Sequence, residues 1–414
     1  MSGPSRGESA PIAVVGIGAD GWDGLGGPAR REIAGAAVLF GSERQLALVP
    51  AGESAAVRVA WPSPLVPALP GLLEQYAGQR LCVLASGDPM FFGIGVTLTG
   101  IVGAQRLRVL PQPSSAALAC ARMGWALPET PVVSAVARRL ETVLPELSDG
   151  RRMLLLSPDE HTPARLADLL SRNGFGDSRL TVLEQLGGPA EHVVSGQAAN
   201  WDAAPGDPLN IVAIECVRNA DAPRLSRLPG LPDSVYGGDG QLTKSEIRTL
   251  TLATLAPAPG ELLWDVGGGS GTIAIEWCRT HPGCRAVAFE RLESRRKQIT
   301  ANAAALGVPQ LEVRGPAPAG FGELSAPDAV FIGGGLTQDG MFEACWERLP
   351  VGGRLVANAV TAESESLLLR LAATHGGELR RFQVYRAEPL GGFTSWRPQL
   401  PVTQWSVVKD PIVA

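Results

Sequence analysis

The apolar residues of this 414-residue chain are gathered into short runs, which turn residues or helical spacings separate from one another. Continuous apolar runs bounded by turn residues are typical of buried strands, and apolar residues three or four apart are typical of helices. Strands are predicted from Ile12 and at 38–40, 81–85, 107–110, 153–156, 181–184 and 210–215. Because helical segments lie between these strands, the pattern predicts an α/β fold.

The same alternation resumes after position 243. Thr243 and Glu246 have the spacing of a capping box and predict the start of a helix. Further helices are predicted at 292–306 and 341–349, and strands at 262–266, 285–289, 311–313, 328–332, 355–360, 379–385 and 402–408. We interpret the fifteen residues 387–401, between the last two strands, as a loop.

Between the two halves, the stretch from Val217 to Asp233 has three prolines and no apolar periodicity. Such composition is typical of a semi-rigid linker. A chain of 414 residues is also long enough for two domains. We therefore predict a first domain at 1–217, a linker at 218–233 and a second domain at 234–414.

Composition excludes several classes of function. A formal net charge of −5 gives no electrostatic reason to bind nucleic acid, and we interpret the basic run 291–297 as a solvated helix face. No apolar run approaches the ~20 residues of a membrane span, and the first ten residues lack a signal core. Six cysteines without Cys-x-x-Cys spacing and four scattered histidines predict a cytoplasmic protein with neither disulfides nor a metal site.

The clearest chemistry lies at Leu262–Gly271, where an apolar strand enters a glycine turn and a helical pattern follows. Asp265 sits inside the end of that strand, and the next strand ends in Glu290, 25 residues after Asp265. A carboxylate in that second position can accept hydrogen bonds from both hydroxyls of a ribose. No Lys-Ser/Thr follows the glycines, which excludes a P-loop. The motif resembles the nucleotide loop of Rossmann-like S-adenosylmethionine (SAM) methyltransferases; a glycine turn without a ligand is the alternative.

A second glycine motif, Gly-x-Gly-x-x-Gly at 16–21, follows the first strand. Alone it suggests NAD, but the residues after it are too rich in glycine to open a helix directly, as a dinucleotide site requires. The sequence therefore does not identify the ligand of this loop. Asp88-Pro89 predicts a turn beyond another strand end, which is a common place for a ligand in α/β sheets.

The N-terminal half resembles the tetrapyrrole methylase family, most closely the corrin-pathway member that methylates C-5. The shared motifs are Val-Gly-Ile-Gly at 15–18, Ala-Ser-Gly-Asp-Pro-Met-Phe-Phe-Gly at 85–93, Pro-Gln-Pro-Ser-Ser at 111–115 and Ser-Pro-Asp-Glu-His-Thr-Pro at 157–163. The resemblance implies a two-lobed fold with SAM between the lobes. The SAM-binding residues it implies are Gly16, Gly18, Gly87, Asp88, Met90, Ser114 and Ser115. Ala19 and Asp20 replace the family's usual Pro-Gly in the first loop.

The C-terminal half resembles the corrin-pathway methyltransferases that act at C-15 with decarboxylation. The shared motifs are Leu-Thr-Lys-Ser-Glu-Ile-Arg at 242–248, Trp-Asp-Val-Gly-Gly-Gly-Ser-Gly at 264–271 and Phe-Ile-Gly-Gly-Gly at 331–335. The resemblance implies a seven-stranded Rossmann-like fold. Its implied SAM site comprises Thr243, Asp265, Gly267, Gly268, Gly269, Ser270, Gly271, Glu290 and Ala317. Pro316 stands where the family commonly has an Asp.

Together the resemblances imply an enzyme of cobalamin biosynthesis with two SAM molecules per chain. It would methylate a precorrin-6-level tetrapyrrole at C-5 and C-15 and release CO₂ from the ring C acetate. Lys244 and Asn358 are our candidates for catalysis, with purely structural roles as the alternative, and Arg397 is our candidate for holding the substrate. We expect a homo-oligomer and no membrane partner. The competing hypotheses are an RNA or protein methyltransferase and a SAM-binding module without catalysis.

Overall fold

The structure is a computed structural model that describes residues 11–410. The chain forms two compact units. The N-terminal unit contains residues up to Arg138 together with Asp149–Ala222, and the C-terminal unit contains Arg139–Ser148 and the chain from Pro223. The predicted linker is therefore divided, because 218–222 belong to the first unit and 223–233 to the second. Among residues 11–410, no helix is both long and apolar enough to cross a membrane.

The first lobe of the N-terminal unit is a parallel sheet with helices. Its strands are β1 (Ile12–Ile17), β2 (Val38–Gly41), β3 (Val57–Ala60), β4 (Leu81–Ser86) and β5 (Leu107–Leu110), in the order β3-β2-β4-β1-β5. Its helices are α1 (Gly27–Ala34), α2 (Glu43–Ala47), α3 (Leu65–Gln75), α4 (Ile94–Val102) and α5 (Ser115–Met123). β1 and β4 are fully buried along their apolar runs, as their composition predicts. Their carboxyl ends therefore meet at one edge, where the loops lie.

The second lobe is a mixed sheet. Its strands are β6 (Val132–Ser134), β7 (Arg152–Leu156), β8 (Arg179–Glu184), β9 (His192–Gln197) and β10 (Asn210–Glu215), and its helix is α6 (Thr162–Arg172). The strand order is β6-β7-β10-β8-β9, with only the β6–β7 pair parallel. Three strands of this unit, β3, β6 and β9, have no counterpart in the sequence prediction. All three are edge strands, and β3 and β9 are largely exposed, so they lack a continuous apolar run.

The C-terminal unit is built on a seven-stranded sheet. Its helices are α7 (Ser245–Leu255), α8 (Thr272–Thr280), α9 (Glu293–Ala305), α10 (Met341–Arg348) and α11 (Ala362–His375). Its sheet strands are β11 (Leu262–Val266), β12 (Arg285–Phe289), β13 (Glu312–Arg314), β14 (Ala329–Ile332), β15 (Arg354–Ala359), β16 (Glu378–Phe382) and β19 (Val402–Val408). The order is β13-β12-β11-β14-β15-β19-β16, and β19 runs antiparallel to both of its neighbours. The α/β fold is confirmed.

Two local predictions for this unit are wrong. The segment 387–401 is not a loop, because β17 (Tyr385–Leu390) and β18 (Phe393–Pro398) form an antiparallel hairpin there. The capping box does not form either. Lys244 is the N-cap of α7 and no side chain caps the helix, since the Glu246 carboxylate accepts hydrogen bonds from Arg386 instead.

A buried ion pair ties the start of the C-terminal unit to its core. Arg248 and Glu276 are 0% and 2% exposed, and Arg248 Nε lies 2.5 Å from Glu276 Oε1. Glu276 also accepts hydrogen bonds from the backbone N–H of Gly230 and Leu231 and from the Tyr236 hydroxyl, at 2.6, 3.1 and 2.8 Å. Residues 230–236 are therefore fixed against α8 and do not behave as a free linker.

Candidate functional site

The C-terminal unit contains a cavity of about 760 Å³ at the carboxyl ends of its parallel strands. This edge of an α/β sheet is where ligands usually bind, and the volume lies in the upper part of the range for ligand pockets. Of the residues that we predicted for function, nine line it: Thr243, Lys244, Asp265, Gly267, Gly268, Gly269, Glu290, Ala317 and Asn358. The structure therefore brings these residues from five separate stretches of sequence to one cavity.

The glycine loop after β11 has no room for a side chain where it approaches the glycine loop after β14. A Cβ on Gly267 would lie 2.6 Å from the backbone nitrogen of Gly334, in the second glycine loop, which follows β14. Gly267 and Gly269 also have φ angles of +77° and +57°, where L side chains are strained. Bare backbone consequently forms this wall of the cavity.

Ser270 and Gly271 complete the predicted loop but are not among the cavity-lining residues. Ser270 is buried, and its hydroxyl donates to the carbonyl oxygen of Gln241 at 3.1 Å. Gly271 is the N-cap of α8, and a Cβ there would lie 2.7 Å from Ile299. Both residues shape the loop through the packing behind it.

The carboxylate of Asp265 is buried, and only one of its two oxygens has a hydrogen-bond partner in the described chain. Its Oδ2 accepts a hydrogen bond from the backbone N–H of Ala274 at 3.1 Å, whereas Oδ1 is buried without a partner in the described chain. Burial raises the pKa of Asp265 to about 7, the Ala274 N–H lowers it in part, and the negative charge of Glu290 raises it further. The unpaired oxygen belongs to a residue that lines the cavity, so a cationic or hydrogen-bonding ligand group there would satisfy it.

Glu290, at the end of β12, is 6% exposed and held by two backbone groups. Its Oε2 accepts from the N–H of Gly269 at 3.0 Å, and its Oε1 accepts from the N–H of Leu292 at 2.9 Å. Each carboxylate oxygen has two lone pairs, so each can accept one further hydrogen bond. The carboxylate is thus fixed in orientation and still able to receive two hydroxyl groups.

The two catalytic candidates differ in how they are held. Lys244 is 45% exposed, and its Nζ lies 3.9 Å from Asp233 Oδ2. The Asn358 amide is fixed at both ends, because its Nδ2 donates to Thr251 at 2.9 Å and its Oδ1 accepts from Gln404 at 3.0 Å. Lys244 can therefore move toward a ligand, whereas Asn358 presents a fixed amide to the cavity.

Arg397 does not line the cavity. It lies on β18 with its side chain 67% exposed, and its Nε is 3.1 Å from Glu388 Oε2. Its cross-strand neighbour on β17, Arg386, does line the cavity. Sequence reasoning missed Arg386 because the hairpin was interpreted as a loop. The alternation of polar Arg386 and Glu388 with apolar Tyr385 and Ala387 is the sequence signal that could have found it.

Two residues of the predicted solvated helix face also line the cavity. They are Arg291, in the turn after β12, and Arg295, on α9. Arg295 lies 2.6 Å from Asp239 and donates to Gln241 at 2.7 Å. Arg291 is exposed, as predicted for a solvated face, whereas Arg295 is half-buried and held by these contacts.

In the N-terminal unit, the loops after β1, β4 and β5 are in contact. A Cβ on Gly16 would lie 2.0 Å from the carbonyl oxygen of Gly87. The Gly87 N–H donates to Ile17 at 3.1 Å, and the Gly87 carbonyl accepts from the Gln112 N–H at 3.3 Å. A Cβ on Gly188, between β8 and β9, would lie 2.8 Å from the Ala19 Cβ. Loops of both lobes therefore converge here.

The remaining N-terminal candidates belong to these same loops. The Asp88 carboxylate accepts from the Met90 N–H at 2.8 Å, which confirms the predicted turn, and Met90 itself is exposed. Ser114 caps α5, because its hydroxyl accepts from the Ala117 N–H at 3.1 Å. Ser115 is the exposed first residue of that helix, and Gly18 accepts the turn bond from Gly21. The structure thus gathers all seven predicted residues around one convergence of loops.

Two family models match separate parts of the chain. The family of tetrapyrrole (corrin/porphyrin) methylases matches residues 11–202. A precorrin methyltransferase domain matches residues 234–409.

Three similar proteins illustrate the relationship. The precorrin-6Y C(5,15)-methyltransferase [decarboxylating] of Mycobacterium tuberculosis is 52% identical over 401 residues, covering 96% of this chain and 100% of the relative. A "Probable cobalt-precorrin-6B C(15)-methyltransferase (decarboxylating)" of Pyrobaculum aerophilum is 34% identical, covering 42% of this chain and 93% of the relative. The crystal structure of the C-terminal domain of precorrin-6Y C5,15-methyltransferase from Rhodobacter capsulatus is 48% identical, with a TM-score of 0.43, and covers 45% of this chain and 100% of that chain. On the near full-length similarity to the first of these, the chain belongs to the family of precorrin-6Y C5,15-methyltransferases (decarboxylating).

Proposed function

We propose that the chain transfers methyl groups from SAM to C-5 and C-15 of precorrin-6Y and releases CO₂ from the ring C acetate. The product would be precorrin-8, an intermediate of cobalamin biosynthesis. Similarity over 96% of the chain to a relative of that name supports the proposal. The structural observation that carries it is the C-terminal cavity, where Asp265 and Glu290 lie beside a wall of bare glycine backbone.

The C-terminal residues fit SAM. The observed strand order, with five parallel strands followed by an antiparallel pair, supports the Rossmann-like SAM methyltransferase fold that the sequence resembles. In this proposal Glu290 accepts the two ribose hydroxyls, and Asp265 faces a cationic part of the ligand. Gly267, Gly268 and Gly269 let the ligand lie against bare backbone, and Ser270 and Gly271 shape the loop behind them. Thr243 and Ala317 line the same cavity and complete the cofactor set.

When bound, SAM supplies a methyl group on a sulfonium, which is already an activated leaving group. The protein then has to align the two reactants and keep water out, more than to provide an acid or a base. Apolar side chains of the cavity, including Ile247, Phe331 and Met341, suit water exclusion. Loss of CO₂ can use the conjugated macrocycle as the acceptor of the electron pair, so the protein has only to orient carboxylates. Lys244 and Asn358 are our candidates for that orientation.

We place a second SAM molecule in the N-terminal unit, where the end of β1 at Gly16 meets the loops carrying Gly87 and Ser114. Backbone groups dominate this region, because the close approaches at Gly16 and Gly87 leave no room for a Cβ. Met90, three residues after Gly87, has an exposed side chain. This unit would methylate C-5, and the C-terminal unit would methylate C-15 and decarboxylate. A relative that is named for C-15 methylation and decarboxylation alone, and that matches only 42% of the chain, supports this division.

The test is to incubate the full chain with precorrin-6Y and isotopically labelled SAM and to follow the product by mass spectrometry. We expect a gain of two methyl groups and the loss of one CO₂, and calorimetry should give two SAM molecules per chain. Gly16→Val should prevent one methylation and leave CO₂ release intact, because it forces apart only the N-terminal loops. If this variant loses CO₂ release while C-15 is still methylated, the division of roles is wrong. If the wild-type chain leaves precorrin-6Y unchanged, the proposed function is wrong.

A further inference from the structure

We propose that Arg386 binds a carboxylate side chain of the tetrapyrrole in the C-terminal cavity, and that Glu246 holds its guanidinium until the substrate arrives. This inference rests on the proposed function and assigns a specificity-determining residue to it. Arg386 belongs to β17 and lines the cavity, as does Glu246 of α7. The two residues are 140 positions apart in sequence, so only the folded hairpin brings them together.

The geometry leaves the guanidinium available for a second partner. Arg386 Nη2 lies 3.0 Å from Glu246 Oε1 and 2.8 Å from Oε2. In the described part of the chain, both of its hydrogen bonds come from this one nitrogen. A guanidinium binds a carboxylate best through two nitrogens that form a planar fork. The pair with Glu246 does not use that fork, and an incoming carboxylate can.

The charges around the pair also allow a substrate carboxylate to replace Glu246 as the partner of Arg386. The Arg386 and Glu246 side chains are 38% and 41% exposed, and such partly exposed ion pairs contribute little to stability. Asp233 Oδ2 lies 3.9 Å from both Arg386 and Lys244, too far for a hydrogen bond to either. Asp233 is moreover 3.2 Å from the buried Arg248, which partly neutralises it. Arg386 is thus held loosely enough to be captured by a substrate carboxylate.

Arg397 provides a matched comparison on the same hairpin. It pairs in register with Arg386, so both side chains lie on one face of the hairpin. Arg397 is bound to Glu388 and is 67% exposed, but it does not line the cavity. Two arginines directly opposite repel each other, and each has its own carboxylate partner. Of these two carboxylate partners, only Glu246, the partner of Arg386, lines the cavity.

The experiment compares Arg386→Gln, Glu246→Gln and Arg397→Gln in the full chain with precorrin-6Y as substrate. CO₂ release gives kcat and KM, and calorimetry gives the Kd for SAM as a check that the cavity is intact. We expect Arg386→Gln to raise KM by about tenfold or more, which corresponds to a lost hydrogen-bonded charge pair, with a smaller change in kcat. Glu246→Gln should lower KM by about two- to fivefold, because it releases Arg386. Arg397→Gln should leave KM unchanged, because Arg397 does not line the cavity and we therefore no longer assign it to the substrate.

The opposite changes in KM that we expect for Arg386→Gln and Glu246→Gln distinguish a binding role from a structural one. If Arg386 and Glu246 only fasten the hairpin to α7, both substitutions raise KM together, and the proposal is overturned. It is also overturned if KM is unchanged in Arg386→Gln, or if Arg397→Gln is the variant with the raised KM. Arg386→Lys keeps the charge without the fork and should give an intermediate KM. In each case the active wild-type chain shows that the proposed function itself stands; a wild type that does not release CO₂ refutes the function and this inference together.

Discussion

Replacing Asp265 by asparagine should make the stability of the C-terminal unit less dependent on pH. The carboxylate is buried, one of its oxygens has no partner in the described chain, and Glu290 adds a negative charge nearby. These effects disfavour the ionised form and raise the pKa to about 7. Asparagine has nearly the same shape and can still accept the Ala274 N–H through its Oδ1, but it does not titrate.

The sign and the size of this pH dependence follow from the pKa values of Asp265 in the folded and unfolded chain. The unfolded chain has the ordinary value of 3.8, so between that value and about 7 the folded chain holds a proton that the unfolded chain has lost. Ionised Asp265 therefore destabilises the fold progressively as pH rises through this interval, and the penalty levels off above pH 7. Linkage gives a loss of about 2.6 kcal/mol in the free energy of unfolding between pH 5 and pH 8. The whole difference in pKa corresponds to a penalty on the order of 4 kcal/mol.

The assay is urea denaturation of both full-length proteins at several pH values between 5 and 8. The stability of Asp265→Asn relative to wild type should increase by about 2 to 3 kcal/mol across that range. Any cost of the new amide is the same at every pH and drops out of the comparison. A difference that stays constant within about 0.5 kcal/mol would show that Asp265 titrates at its ordinary pKa and would refute the reasoning. In addition, SAM binding at pH 6 should release a proton from wild type but not from the variant.

Three further substitutions test individual contacts. Glu290→Gln should weaken SAM binding at one of the two sites by about 1.5–3 kcal/mol by calorimetry, and an unchanged affinity would exclude Glu290 as the ribose acceptor. Glu276→Gln leaves the buried Arg248 beside a neutral amide and should destabilise the C-terminal unit by about 3 kcal/mol or more in urea; a loss below about 1 kcal/mol would show that other acceptors suffice. Ser114→Ala removes the cap of α5 and should cost about 1 kcal/mol in thermal unfolding, with the exposed Ser115→Ala as the neutral control. Equal effects of the two serine substitutions would contradict the capping geometry.

The sequence predicts most elements of both units because their cores are built from continuous apolar runs. The apolar runs of β1, β4 and β11 are buried, and such runs admit few other interpretations. The strands that it misses, such as β3 and β9, lie at sheet edges with exposed side chains. An edge strand is defined by its partner's hydrogen bonds, and these are not visible in its own composition.

The sequence alone also locates the strand and glycine turn at 262–271 and the helix after them, since glycine acts through its own backbone freedom. What only the tertiary structure decides are contacts between distant residues. Glu246 has the spacing of a capping residue, yet it bonds to Arg386, 140 positions away. Asp265 is an ordinary aspartate in the sequence, and its raised pKa exists only because the folded sheet buries it. Local preferences are worth about 1 kcal/mol each, and burial and charge pairing outweigh them wherever the fold brings distant groups together.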